Sequence, residues 1–285
     1  MDVWTRVTVT CPATQAEVVA DRLWVFAPAA IEEQIDGSDT VLLAGFDDAD
    51  AAAQAASAVR SLGYDLVEVS TVTAEGLDGW RDWAKAETAG PFVLVPAWLE
   101  TPDVEPGECI VRLDPGHTFG SGSHPTTRAV LIALASRVDA ATTVLDVGCG
   151  SGVLAVAAAM LGAQAVHGID VDVESPSVVA ANAAANGVDD VVTASNEPLS
   201  TVVDRAERYD VVAANLLAPV IVELSDDLEA VVAEGGTLVL SGLLADRWAQ
   251  TIDHFTHGLP PAEAPWLVDE VVSLEGWVAV VLQRP

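Results

Sequence analysis

The 285-residue sequence has very little positive charge. It carries 12 Lys and Arg residues against 43 Asp and Glu residues, which gives a formal net charge of −31, and its one lysine is Lys85. So acidic a chain disfavours direct binding to nucleic acid phosphates or anionic membranes. The lysine content also excludes a P-loop, whose glycine-rich turn ends in Lys followed by Ser or Thr. A solvated acidic surface is the simplest interpretation of the charge, and contact with a basic protein is the alternative.

Cysteine and long apolar runs are also scarce. The three cysteines, Cys11, Cys109 and Cys149, lie far apart, which is typical of a reducing cytosol and not of a disulfide framework or a zinc site. The most apolar run, residues 153–166, is interrupted by a glycine and a glutamine and is too short to span a bilayer. The N-terminus lacks the basic and apolar regions of a signal peptide. We therefore expect a cytoplasmic monomer with no membrane segment and no bound metal.

What the sequence does contain is a regular alternation of apolar strands and helices. Hydrophobic residues make up 51% of the chain, enough for a sizeable core. Residues 1–72 predict a small α+β unit of ferredoxin-like order, with one strand unassigned. Residues 73–100 predict a linker helix followed by an extended segment. Residues 101–285 repeat strand, loop and helix, which predicts a Rossmann-like α/β domain with a parallel sheet and a closing hairpin.

The stretch VLDVGCGSGVLA, residues 144–155, predicts a ligand-binding loop. A buried strand carries Asp146 near its end, and Gly148, Gly150 and Gly152 precede a helix. Glycines let a ligand approach the backbone and the helix N-terminus closely. Val153 stands where a dinucleotide fingerprint has its third glycine, and a carboxylate before the loop would repel a pyrophosphate. The loop therefore favours a cationic ligand and disfavours a dinucleotide oxidoreductase.

Two later strands also end in polar residues, and ligands of parallel sheets bind at such strand ends. Asp170 lies 18 residues beyond Gly152, where its carboxylate can accept both hydroxyls of a ribose. The amide of Asn215 can accept a hydrogen bond from a substrate amine and donate one to a cofactor, although a helix cap before Pro219 is the alternative. These groups describe a nucleoside site without phosphates, and S-adenosylmethionine is the ligand that fits it.

Four stretches, in this order and spacing, resemble the PrmA family, the methyltransferases of ribosomal protein L-11, over nearly the whole chain. They are LDPGHTFGSGSHPTT (residues 113–127), VLDVGCGSGVLA, GIDVD (residues 168–172) and NLLAP (residues 215–219). The resemblance implies a seven-stranded class I methyltransferase domain, with S-adenosylmethionine as the methyl donor. It also implies that the N-terminal domain recognises ribosomal protein L-11, which is methylated on lysine side chains and on the N-terminal amine.

The resemblance also assigns roles to particular residues, with Asn215 as the catalytic one. The stretch at residues 113–127 would fold over the donor, with Gly120 permitting close approach and Phe119 forming a wall of the pocket. The expected cofactor-binding residues are Thr127, Gly148, Asp170, Asn215, Asp146, Gly150, Gly152, Phe119 and Gly120. Two alternatives remain open: a methyltransferase of the same fold with another protein or small-molecule acceptor, and a non-catalytic module that senses the nucleoside or docks on the ribosome.

Overall fold

A computed structural model shows the chain as two compact units, Met1–Ala84 and Lys85–Pro285. The residues that the structure describes are 3–26, 30–36, 39–46, 48–73, 84–116, 118, 120, 122–259 and 264–285. The first unit has one hydrophobic core cluster of its own, and the second unit has two.

In its described residues, the first unit is a four-stranded antiparallel sheet with two α-helices and a short 3₁₀ helix at Ala13–Gln15. Its elements are β1 (Val3–Pro12), α1 (Ala16–Trp24), β2 (Ala30–Asp36), β3 (Asp39–Phe46), α2 (Ala49–Ser61) and β4 (Val67–Thr73). The strand order β2-β3-β1-β4 confirms the ferredoxin-like prediction, and β2 is the strand that the sequence pattern left unassigned. Helix α2 begins after Asp48, whose carboxylate accepts a hydrogen bond from the Asp50 amide at 2.9 Å.

A small three-stranded sheet opens the second unit. It consists of β5 (Glu87–Ala89), β6 (Phe92–Pro96) and β7 (Cys109–Leu113), with β6 antiparallel to β5 and parallel to β7. Every residue of β6 is buried, so this strand is part of the core. Of the predicted linker, residues 73–100, positions 74–83 lie outside the described residues, and β5 and β6 occupy much of the remainder.

The rest of the second unit is a seven-stranded sheet in the order β10-β9-β8-β11-β12-β14-β13. Its strands are β8 (Thr143–Val147), β9 (Ala165–Ile169), β10 (Val192–Ser195), β11 (Tyr209–Asn215), β12 (Val232–Leu244), β13 (Leu267–Leu274) and β14 (Trp277–Gln283). All neighbours pair in parallel except β14, which runs antiparallel to both β12 and β13. The Rossmann-like, seven-stranded prediction is confirmed.

Seven helices accompany these strands in the described part of the second unit. They are α3 (Pro125–Leu134), α4 (Val153–Met160), α5 (Ser175–Ala185), α6 (Leu199–Asp204), α7 (Ala218–Glu223), α8 (Ser225–Ala230) and α9 (Trp248–Thr256). Helices α7 and α8 meet at Leu224 without a loop between them. Helix α9 begins only at Trp248, because β12 continues to Leu244 to pair with Trp277 of β14.

The sheet topology determines where a ligand can bind. From β8 the chain moves outward through β9 and β10, then returns to the other side of β8 to form β11. This reversal of strand order is a topological switch point, and it opens a crevice at the carboxyl ends of β8 and β11. Among the helices that the structure describes, none has the length and apolar character needed to cross a membrane.

Candidate cofactor and active site

The glycine loop, defined here as residues 148–152, turns the chain tightly from β8 into α4. Gly148, Gly150 and Gly152 all have positive φ values, of 74°, 50° and 78°. The Gly148 amide donates a hydrogen bond to the Ile169 carbonyl at 2.8 Å, which holds the loop to the end of β9. A side chain at Gly148 would also collide with the side chain of Leu216, which packs over this position. The backbone conformation therefore favours glycine at this point, and a larger residue would also have to displace the Leu216 side chain.

Asp146 is a buried carboxylate beneath the glycine loop, with 1% of its surface exposed. Its Oδ2 accepts a hydrogen bond from the Ala155 amide of α4 at 3.2 Å, whereas Oδ1 has no hydrogen-bond donor among the described residues. Burial raises the pKa of this carboxyl to about 7, and repulsion from Asp170 adds to the effect. An unpaired buried acceptor of this kind would be satisfied by a cationic ligand group, such as the ammonium of S-adenosylmethionine.

Asp170 lies immediately after β9, beside the glycine loop. Its Oδ2 accepts a hydrogen bond from the Gly150 amide at 2.7 Å, and its Oδ1 accepts one from the Asp172 amide at 2.9 Å. These two amides fix the orientation of the carboxylate, and each oxygen keeps acceptor capacity for a further donor. The pair of ribose hydroxyls expected from the sequence therefore fits the arrangement of this side chain.

Asn215 ends β11 on the other side of the switch point. Its Nδ2 donates a hydrogen bond to Thr127 Oγ1 at 3.2 Å, so the structure brings together two residues that are far apart in the sequence. Ser241 of β12 contacts the residue next to each partner: its hydroxyl lies 2.9 Å from the Val278 carbonyl and 3.2 Å from the Thr126 carbonyl, and its own carbonyl accepts from the Leu216 amide at 3.1 Å. The ends of β11 and β12 thus hold the first turn of α3 in place.

The β7–α3 loop, defined as residues 114–124, contacts the glycine loop through Gly120. The Gly120 carbonyl accepts a hydrogen bond from Ser151 Oγ at 2.5 Å. At the end of the loop, His124 caps α3 through its Nδ1, which accepts from the Thr126 amide at 3.3 Å. Burial lowers the pKa of His124, which favours the neutral ring that this cap needs. Phe119, expected to form a wall of the pocket, lies outside the described residues.

Three residues that shape this site were not singled out from the sequence: Leu216, Ser151 and Gly242. The Leu216 carbonyl occupies the space that a side chain at position 242 would need, and Gly242 has a φ of 86°. A glycine within a strand pattern often marks a close approach of another backbone segment, so Gly242 did carry a readable signal. No such signal marked the side chain of Leu216, because its contact with Gly148 depends on the pairing of β8 with β11.

Two further observations concern the cysteine of the glycine loop and the metal-binding side chains. Burial raises the pKa of the Cys149 thiol, with Asp146 and Asp170 adding to the effect, so the thiol stays protonated and is a poor nucleophile. The part of the chain that the structure describes contains no group of three or more His, Cys, Asp or Glu side chains placed to hold a metal ion.

The sheet has seven strands, all parallel except β14, which lies next to the edge strand β13. Beside it, a glycine loop follows one strand and an aspartate follows the next. This is the architecture of the class I methyltransferases. These enzymes take a methyl group from S-adenosylmethionine. The chain belongs to the family described as ribosomal protein L11 methyltransferase (PrmA), whose sequence profile matches residues 5–285.

Individual relatives agree with this assignment. A ribosomal protein L11 methyltransferase of Geobacter metallireducens is 45% identical over 188 residues, which cover 65% of this chain and 60% of that protein. One from Geobacter sulfurreducens is 36% identical over 277 residues, which cover 88% of this chain and 90% of the relative. The crystal structure of a ribosomal protein L11 methylase from Lactobacillus delbrueckii subsp. bulgaricus is similar with a TM-score of 0.59 and 30% identity, over 68% of this chain and 94% of the other.

Proposed function

We propose that the protein is an S-adenosylmethionine-dependent N-methyltransferase that methylates lysine side chains and the N-terminal amine of ribosomal protein L-11. The observation that carries the proposal is the hydrogen bond between Asn215 and Thr127, because it fixes a carboxamide at the strand end where a methyl donor would be held. Membership of the family supports the choice of acceptor. The alternative is a methyltransferase that uses this same site for another protein or a small molecule.

The donor would be held by groups on both sides of the switch point. Asp170 would accept the ribose hydroxyls, since two backbone amides already orient its carboxylate. Asp146 would pair its unsatisfied Oδ1 with the donor's ammonium group. Gly148 and Gly150 would let the donor approach the backbone, and Gly120 would do the same from the β7–α3 loop.

The chemistry requires a positioned, uncharged amine. The donor supplies a methyl group on a sulfonium, and the amine nitrogen displaces it in line, so that the N–C bond forms as the S–C bond breaks. The Asn215 Nδ2 is committed to Thr127, which leaves the amide oxygen to accept an N–H of the substrate amine and orient its lone pair. No donor among the described residues hydrogen-bonds to that oxygen.

The substrate amine must lose its proton before attack, since an unperturbed lysine has a pKa of about 10.4. Two apolar side chains follow Asn215: Leu216, packed over Gly148, and Leu217, which is 48% exposed. An apolar entrance lowers the pKa of an ammonium group because it desolvates the charge. The proton can then leave to water, and the site needs no dedicated base.

The first unit would recognise the ribosomal protein. It has its own sheet and core, and none of the expected donor-binding residues lies in it. The net charge of −31 supports a protein acceptor with basic side chains over a nucleic acid. We further propose that the enzyme acts as a monomer in the cytoplasm, where ribosomal proteins are made.

The acceptor can be tested with a mixture of unmodified ribosomal proteins and S-adenosylmethionine labelled in its methyl group. The proposal predicts that the label enters L-11 and that the Asn215→Ala variant transfers almost none. Label in a different protein would support the alternative acceptor. Absence of label from every protein, with donor binding shown by calorimetry, would refute the proposed protein substrate.

A further inference from the structure

Asn182 on α5 is a buried side chain that none of the roles above uses. Only 3% of its surface is exposed, and its carboxamide makes three hydrogen bonds. Its Oδ1 accepts from the Asp114 amide at 2.9 Å, and its Nδ2 donates to the Asp114 carbonyl at 3.0 Å and to the Ser151 carbonyl at 2.9 Å. One side chain thus connects the start of the β7–α3 loop with the middle of the glycine loop.

One helical turn later, Asn186 makes a similar set of contacts but does not reach the glycine loop. Its Oδ1 accepts from the Arg112 amide at 2.9 Å, and its Nδ2 donates to the Arg112 carbonyl at 2.7 Å. Residues four apart lie on the same face of a helix, so Asn182 and Asn186, the residue that caps the end of α5, bind two alternate residues, Arg112 at the end of β7 and Asp114 just after it. The two asparagines differ in their remaining bond: Asn182 donates to the Ser151 carbonyl in the glycine loop, whereas Asn186 donates to the Asn182 carbonyl within the helix, at 2.7 Å.

Ser151 is itself held from two directions. Its carbonyl accepts from Asn182, and its hydroxyl donates to the Gly120 carbonyl, midway along the β7–α3 loop. The loop is therefore tied to the glycine loop at two points, at its start through Asn182 and at its middle directly.

We propose that Asn182 is a positioning residue for the methyl donor. Through Asp114 and Ser151 it sets the separation of the two loops between which, under the proposed function, the donor binds. The inference rests on that proposed function. It requires that Asn182 affect donor affinity more than its contribution to folding would explain, whereas Asn186 contributes to folding alone.

The experiment compares Asn182→Ala with Asn186→Ala in the full-length chain, using calorimetry with S-adenosylmethionine and thermal unfolding. We expect both variants to unfold at lower temperature, because each removes hydrogen bonds to main-chain groups. Asn182→Ala should weaken donor binding about tenfold, the equivalent of roughly one lost buried hydrogen bond. Asn186→Ala should bind the donor within about twofold of the wild type. The KM for the donor should follow the same pattern, with kcat at saturating donor nearly unchanged.

Equal donor affinity in Asn182→Ala and the wild type would overturn the proposal, as would equal weakening in both variants. If Asn182→Ala does not fold, Asn182→Asp keeps the side-chain volume and the acceptor for the Asp114 amide but removes both donated bonds. Wild-type affinity in that variant would overturn the proposal equally. The wild-type measurement separates the two claims, since failure of the wild type to bind the donor would refute the proposed function itself.

Discussion

Asn215 at the end of β11 donates a hydrogen bond to the Thr127 hydroxyl in the first turn of α3, at 3.2 Å. The two residues are 88 positions apart, and the bond fixes which face of the carboxamide the substrate can meet. Because the amide nitrogen is engaged, we propose that the amide oxygen orients the substrate amine. Thr127 would then act on the reaction through Asn215, in addition to any contact of its own with the donor.

A double-mutant cycle tests this relationship. Asn215→Ala should lower kcat on the order of 100-fold, a typical cost for the loss of a group that positions reacting atoms. Thr127→Val keeps the shape of the side chain but removes the hydroxyl, and should lower kcat about fivefold, as expected for one net hydrogen bond. In the double variant kcat should be close to that of Asn215→Ala alone. Fully multiplicative effects would show that the two residues act independently.

Asp170 provides a second test, with Asp172 as a matched control on the same loop. Asp170→Ala should weaken S-adenosylmethionine binding roughly 100-fold, because two hydrogen bonds to a charged acceptor are lost. Asp172→Ala removes the same charge, but among the described residues the Asp172 side chain accepts a hydrogen bond only from the Glu174 amide, at 2.9 Å. The affinity of the Asp172→Ala variant for the donor should therefore stay near that of the wild type. If calorimetry finds that both variants bind the donor equally weakly, the loss is a general effect of charge, and ribose binding by Asp170 is contradicted.

Asp146 makes the stability of the free protein depend on pH. Burial raises its pKa to about 7 from 3.8, so the native state retains a proton that the unfolded state releases between those values. Stability contributed by this group is therefore present at low pH and falls as pH rises from about 4 to about 7. Asp146→Asn cannot ionise and should lack this fall, making the variant the more stable protein above about pH 7. Urea unfolding without ligand, repeated across that range, measures the difference, and parallel curves for the two proteins would contradict the assignment.

We expect the first unit to be needed for recognition of the protein substrate and not for binding of the donor. A chain that begins at Lys85 keeps both core clusters of the second unit and every described residue that we propose binds the donor. It should bind S-adenosylmethionine with unchanged affinity while losing methylation of L-11. Circular dichroism would verify that the shortened chain is folded. Full activity on L-11 without residues 1–84 would refute the recognition role.

Much of the fold could be predicted from local sequence patterns. The apolar spacing of residues 16–24 is that of a helix, as α1 shows, and the glycines of residues 148–152 mark the turn from β8 to α4. The strand-end position of Asp170 was equally readable, because an apolar strand stops where the carboxylate begins. In each case the signal lies within a few consecutive residues.

Features that depend on distant pairing could not be predicted in this way. The parallel contact between β6 and β7 joins strands separated by a dozen residues without helix or strand, and neither strand indicates its partner. The break between α7 and α8 at Leu224 has neither proline nor glycine to mark it. The packing of Leu216 over Gly148 and the ties made by Asn182 likewise exist only once the sheet has formed.

The most direct test of the account is the intact mass of purified, unmodified ribosomal protein L-11 after incubation with this enzyme and S-adenosylmethionine. The account predicts mass gains in steps of one methyl group, which the Asn215→Ala variant should slow on the order of 100-fold. An unchanged mass, under conditions where calorimetry shows the donor bound, would contradict the assignment of L-11 as the acceptor.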